Sequence, residues 1–392
     1  MIRYVIIGCL LTGWLVSQSN VCYSQGNALD DSQQKRNKMS FKDPEDGALD
    51  MGAFLESPGG FFPIPIIITE PALGYGGGAA ICFFHPHKGR GGKGVTPNVT
   101  GVAGLGTQNK TWLGGVFHSH IFGADKVRTM TAVAKPHVNI KYYGNNSEFL
   151  SKNPVTLNLD GWVVYQKAQV RIADSRWFLG ASYIFFKTEN SLDTIPGRPL
   201  LNLILKRLKG TSTISMIQPR INYDNRDNMF TPTRGINAGV VFDYNATWLG
   251  ADDDYFALNT YMLGYVPVGK RLFSGWRFDG KYLIGDAPLY AYPFIQLRGI
   301  PAMRYQSDNT LLAETEWRYE VYKRWSLIAF TGAGKAFQSI DTFDNIEWAY
   351  TVGTGFRYKI AKVFGLHSGL DFAWGNGKDF AFYIVFGSSW SK

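Results

Sequence analysis

Beyond its first two dozen residues the chain has almost no cysteine. Of three in total, Cys9 and Cys22 fall in an N-terminal stretch that reads as an export signal, which leaves Cys82. A single thiol excludes an internal disulfide. Long apolar runs are also missing. None of 18 or more residues follows the N-terminus, which excludes membrane helices as the main architecture. Charge is sparse, at 18% of residues, below the usual share of globular chains. No Cys or acidic residue stands at metal-ligand spacing from His85, His87, His118, His120, His137 or His367, so neither a metal site nor another cofactor is expected. His118-Ser119-His120 places its serine and histidines on opposite faces of a strand, so no nucleophile and base converge and no enzyme is expected.

What the chain does have is aromatic residues (15%) and glycine (44 residues). That mixture suits a barrel with aromatic girdles and tight bends. The net charge of +9 is spread along strands and loops. No basic patch for nucleic acid forms, and an anionic lipid surface or a basic lumen is the better match. Residues 1–24 carry Arg3, an apolar stretch from Tyr4 to Val16 and a small polar end, the order of a secretory signal. Residues 25–58 are polar and aperiodic, the expectation being a mobile periplasmic leader. Residues 59–392 are the expected barrel.

Alternation is the dominant signal. From Asp379, Phe380, Phe382, Ile384, Phe386, Ser388 and Trp390 share one face, while Ala381, Tyr383, Val385 and Gly387 share the other. The spans 127–143, 235–248, 271–284, 311–321, 350–360 and 364–374 repeat the pattern, with apolar faces such as Met130 to Tyr142 or Trp276 to Ile284. Weaker strands are read at 72–84, 97–106, 111–122, 155–172, 176–189, 212–224, 254–267 and 325–337. Fifteen strands call for a sixteenth, because single-chain bacterial barrels prefer even numbers. The places for it are a parity slip at Gln166-Lys167 and residues 200–208. The fold class is thus all-β, a transmembrane antiparallel barrel of sixteen strands, with the oily side on lipid and the polar side enclosing the lumen. Pro136 and Pro219 interrupt strands and are expected at a bulge or a weak seam. His118 and His120 read as lumen filler. Gly74, Gly76, Gly77 and Gly78 are followed by a β-like run rather than a helix, so a phosphate loop is not supported.

Glu314, Glu316, Arg318 and Glu320 project from one face of 311–321 and need partners, for which Arg271, Arg277, Lys281, Arg357 and Lys359 are the natural choices.

Two segments carry a family resemblance. Residues 223–235, with Asp224, Arg226, Asp227, Pro232 and Gly235, resemble the RDN-x-F-x-P-T-R-G hairpin of the bacterial surface antigen barrels, the BamA and TamA assembly superfamily. Leu297-Arg298-Gly299-Ile300 resembles that family's V-R-G-F/Y loop motif, followed by the E-x-R strand Glu316-Trp317-Arg318. The resemblance implies a long sixth loop folded into the lumen. It implies that Arg298 pairs with an acid there, Glu316 first, and that Gly299 allows the tight tip. The family's second acid would stand at Gly332, so either the Arg298–Glu316 pair suffices or Asp279 or Glu314 substitutes. The 25–58 leader is too short for a POTRA domain, and the resemblance therefore points to a barrel-only member.

The implied location is the bacterial outer membrane. The implied function is outer-membrane assembly, or protein or lipid translocation, through a lateral seam between first and last strands. The alternative is a gated or passive pore with a basic lumen. Expected partners are outer-membrane lipids and a separate periplasmic or outer-membrane protein.

Overall fold

The computed structural model describes residues 41–43, 45–52, 61–85, 98–123, 125–144, 148–194, 197, 202, 209–228, 230–362 and 365–390. The export signal lies outside them, as do residues 200, 201 and 203–208.

Sixteen strands form one sheet: β1 (Phe61–Ile68), β2 (Gly76–His85), β3 (Asn98–Thr107), β4 (Trp112–Phe122), β5 (Val127–Tyr142), β6 (Val155–Arg171), β7 (Trp177–Leu192), β8 (Gly210–Asp224), β9 (Gly235–Asn245), β10 (Tyr255–Pro267), β11 (Leu272–Gly285), β12 (Asn309–Tyr322), β13 (Trp325–Phe337), β14 (Ala349–Ala361), β15 (Leu366–Gly375) and β16 (Asp379–Phe386). Each pairs antiparallel with its neighbours in sequence order. The sheet curls into a nearly closed barrel. Among the described residues no ladder joins β1 to β16. The two edges nevertheless face each other, because Tyr75 stacks on Phe382 of β16 at 5.8 Å. Most long connections, including 286–308 between β11 and β12, share one end, and most short ones, such as 323–324 and 362–365, share the other. In outer-membrane barrels these ends are extracellular and periplasmic respectively.

The sixteenth strand is β1, at a stretch broken by Pro63 and Pro65, and not at either expected place. β6 runs through Gln166-Lys167 without interruption. Pro136 and Pro219 sit at neither a bulge nor the seam. Each leaves a gap of two residues in one ladder: β5–β6 pairs stop at Ala134↔Val163 and resume at His137↔Asp160, and β8–β9 pairs stop at Ile217↔Tyr244 and resume at Arg220↔Val241. The register is the same on both sides, so a missing donor is absorbed locally.

The oily face points outward over most of the wall, where Val116, Phe242, Trp276, Phe278, Leu311, Leu327, Val352, Trp374 and Phe380 are all exposed. An exposed apolar surface of this extent needs lipid around it. β5 departs from the expectation. Met130, Ala132, Ala134, Val138 and Ile140 are buried inside, in one cluster with Leu157, Leu159, Phe186 and the loop residues Tyr290, Phe294 and Met303. The lumen is therefore divided. Inside β2–β8 it is packed and apolar, because the 286–308 loop lies against it. Inside β11–β15 it is charged. His118 and His120 also face the other way. Their neighbours Phe117 and Ser119 are buried, and His118 and His120 lie on the outer wall, where His118 bonds Thr100 at 2.9 Å and His120 stacks on Phe122 at 3.8 Å. Cys82 is buried as a free thiol.

Candidate functional site

The charged half of the lumen is built by alternation. On β12, Glu314, Glu316 and Arg318 take successive inward positions. β11 supplies Arg277 and Asp279, β14 Arg357 and β15 Asp371. The 286–308 loop enters this half as a hairpin, with Ile295 N–H donating to the Tyr305 carbonyl and Ser307 N–H to that of Pro293. Its tip is the turn Leu297–Ile300.

Arg298 at that tip is the hub. Its Nε donates to Glu314 at 2.9 Å, and its Nη1 to Glu316 at 2.6 Å, Asp371 at 2.7 Å and Ser389 at 3.0 Å. The guanidinium also lies 3.5 Å over the Phe330 ring. Burial works against its charge, but the carboxylates of Glu314, Glu316 and Asp371 outweigh that and hold its pKa above the ordinary value. Asp371 takes a second, bidentate cation, Arg357, at 2.5 and 2.9 Å. Glu314 is shared with Arg277 at 3.1 Å and with the Trp390 indole at 2.7 Å. A carboxylate buried this deeply is stable only when its lone pairs are taken up in this way.

Gly299 is required at the tip for two reasons. Its φ is +84°, and a Cβ would come 3.0–3.1 Å from Ala373 and Gly375. The Gly299 N–H donates to the Tyr383 hydroxyl at 2.9 Å.

The structure thus brings Arg298, Gly299 and Glu316 together. Of the two substitutes considered for the absent acid at Gly332, Glu314 contacts Arg298, whereas Asp279 pairs with Arg277. At Gly332 a Cβ would meet Leu297 of the tip at 3.0 Å, so the loop occupies the space an acid would need. Sequence reasoning did not name Asp371 as a partner of Arg298. It lies 73 residues away, and its only signal was an inward acid on an otherwise apolar strand. Ser389 and Trp390 were missed because Trp390 was expected on the outer face. β16 instead ends at Phe386, Gly387 adopts φ +75°, and the chain turns inward. Trp390 is then 3% exposed.

The hairpin 223–235 lies at the short-turn end, beneath this tail. Arg226 grips Asp224 at 2.8–2.9 Å. Asp227 accepts the N–H groups of Thr233 and Arg234. Gly235 has φ +103°, and a Cβ there would clash with the Arg226 backbone. Pro232 lines a cavity of about 30 Å³ beside Arg318 and Trp390. The hairpin residues are therefore held together with one another, and Thr231 and Pro232 reach the edge of the Arg298 cluster, sharing that cavity with Glu316, Arg357 and Trp390.

A second cluster occupies the short-turn rim. Part of the expected mobile leader is fastened there. Lys42 and Leu49 form a bridge, and the loop between them wraps Arg324 from the β12–β13 turn. Arg324 donates to Asp43, to Asp46 at 2.8 Å, to Asp50 at 2.7 Å and to the Leu49 carbonyl at 3.0 Å. Met51 N–H donates to Ile360, and Asp50 accepts the Lys362 N–H, so the β14–β15 turn is held as well.

Residues 133–291 match the model of the Omp85 superfamily domain. That span contains the 223–235 hairpin and stops short of Arg298. Among solved structures, the chain is similar to BamA from Haemophilus ducreyi lacking POTRA domains 1–3 (TM-score 0.54, 13% identity, 83% of this chain, 69% of that one). It is also similar to CdiB from Escherichia coli (0.59, 9%, 83% and 61%) and CdiB from Acinetobacter baumannii (0.54, 8%, 83% and 59%). The chain spans about three fifths of the length of those two CdiB chains. At these identities the likeness is one of fold. No curated protein matches the sequence.

Proposed function

We infer that this chain, an outer-membrane barrel carrying an Omp85 superfamily domain, takes part in outer-membrane assembly or in translocation of protein or lipid, working through the seam between β1 and β16. The unpaired seam carries the reading. In hydrocarbon each unsatisfied main-chain group costs several kcal/mol, so a barrel with two free edges is poised to pair them with something else. The Arg298 cluster supports it as the brace. It ties the loop tip to β12, to β15 beside the seam, and to the inward tail after β16. Opening at the seam can then proceed without collapse of the lumen.

A separate periplasmic or outer-membrane protein is the expected partner, with outer-membrane lipids the surrounding solvent. A passive pore has less support, because the 286–308 loop packs into one half of the lumen and is clamped in the other. Depleting the protein and comparing outer-membrane proteins and lipids tests the reading. Selective loss of outer-membrane proteins, or a shift in lipid distribution, is expected. Unchanged composition with altered uptake of small solutes would overturn it in favour of the pore.

A further inference from the structure

Towards the short-turn end, the packed half of the lumen changes character. Across β5 to β8 the register sets the inward side chains in rows. Ala132, Tyr165, Ile184 and Met216 form the last apolar row. The next row towards the periplasm is Met130, Lys167, Ser182 and Gln218, and the one after it Arg128, Gln169, Gly180 and Arg220. The neutral side chains here satisfy one another. Ser182 donates to Gln218 at 2.9 Å, Gln218 to Asp243 at 2.6 Å and Gln169 to Asn222 at 2.7 Å. Two of the cations are left over. Arg220 reaches across to the Ser182 hydroxyl at 2.6 Å, and Ser182 stands directly opposite Lys167, so guanidinium and ammonium converge on one spot. The Arg220 Nε is buried with no acceptor, and among the described residues the Lys167 ammonium has neither a hydrogen bond nor an ion pair. The charges that act on it are those of Arg220 and Arg128, both of its own sign. The acids beside this patch are taken: Asp125 by Arg128 and Arg171, and Asp243 by Gln218 and Asn259.

Like charges gathered on a partly dehydrated wall repel one another unless an anion joins them. We propose that the inner wall of β6–β8 binds a phosphate group between Lys167 and Arg220. A phosphate group brings up to roughly two negative charges and several acceptor oxygens, where a carboxylate brings a single charge and fewer oxygens. The ammonium is a compact charge with rotatable donors, and the free Arg220 Nε adds a fixed one. The apolar row, packed on Tyr290 and Phe294 of the 286–308 loop, backs the site on the long-loop side, which leaves the periplasmic mouth as the way in. A phosphorylated solute and a lipid headgroup share this chemistry. The site lies away from β1 and β16 and stands independently of the seam reading.

The test uses the full chain in maltoside micelles, which carry no phosphate. One arm titrates inorganic phosphate by calorimetry, and the other counts phosphatidylglycerol retained in native mass spectrometry. Lys167→Gln and Arg220→Gln are compared with the parent chain. Binding to the parent, weakened about tenfold or more in each variant, is expected in at least one arm. Loss confined to the phosphate arm assigns the site to a soluble phosphorylated molecule, and loss in the phosphatidylglycerol arm assigns it to a headgroup. Lys167 has no partner to lose, so the heat-modifiable gel shift of Lys167→Gln should stay where it is or rise. A marked fall would show that the ammonium is paired within the folded wall, and would overturn the proposal. So would a parent chain that binds neither probe, a result that does not depend on any variant folding, or variants that bind both probes as the parent does.

Discussion

Two arginines in this barrel are each surrounded by three carboxylates, and they serve different ends. Arg298 meets Glu314, Glu316 and Asp371 inside the lumen, and Arg324 meets Asp43, Asp46 and Asp50 at the short-turn rim. The lumen acids come from the wall itself, on rigid strands, and two of them are shared with further cations. The rim acids come from a loop 274 to 281 residues away in sequence, and beside them Glu45 and Lys362 remain open to water. Charges confined in the lumen are stabilised by one another. At the rim Arg324, Asp43 and Asp50 are buried too, but Asp46, Lys362 and Glu45 meet water, so solvent and salt screen that part of the cluster. The first arrangement is suited to bracing, and the second to letting go.

Removing the lumen arginine should have the largest effect. Arg298→Ala leaves buried carboxylates without their cation, which costs on the order of 3–5 kcal/mol. The heat-modifiable gel shift of the folded barrel should move to markedly lower temperature. An unchanged shift would mean that Arg357 and Arg277 neutralise the cluster by themselves. Gly299→Ala should come next. A left-handed conformation costs a side-chain residue about 1–2 kcal/mol, before any contact with Ala373 is counted. The same gel assay should show a smaller drop, and wild-type behaviour would place the tip elsewhere.

The smallest effect belongs to the rim and depends on pH. The hydrogen bond from Arg324 leads in holding the Asp46 carboxyl below the usual range. At Asp50 burial pushes upward, but the N–H groups of Gly52 and Lys362, with Arg324, outweigh it and leave that carboxyl depressed too. A depressed acid stabilises the docked state above its ordinary pKa and loses that contribution as pH falls through the depressed value. The rim should hold at neutral pH and come loose below about pH 4. Limited proteolysis of 41–52 with an acid-active protease reads this directly. Arg324→Ala should expose the segment at every pH, with the barrel's gel shift nearly unchanged. A parent chain protected down to pH 2 would show that the acids are not what fastens it.

Much of this was legible in the residues. Alternation located the strands from β2 to β16, because side chains on a sheet must choose a face. β1 escaped because prolines are normally a reason to reject a strand, and only an edge position makes them tolerable. Alternation could not say which face was inner, and it misassigned β5, whose apolar side meets the folded loop rather than lipid. Arg298, Gly299 and Glu316 were legible through a local motif. Asp371 and Trp390 were not, because their place depends on curvature that brings distant strands together and on one turn at Gly387. The leader looked unstructured because its partner, Arg324, lies far along the chain.

That anchored leader is also a leash. Gly52 is held close to the β14–β15 turn, and Phe61 begins β1 on the far side of the gap. Nine residue steps reach about 30 Å at full stretch. While Arg324 keeps its grip, the periplasmic mouth can gape no wider than that tether allows, however far the opposite end swings.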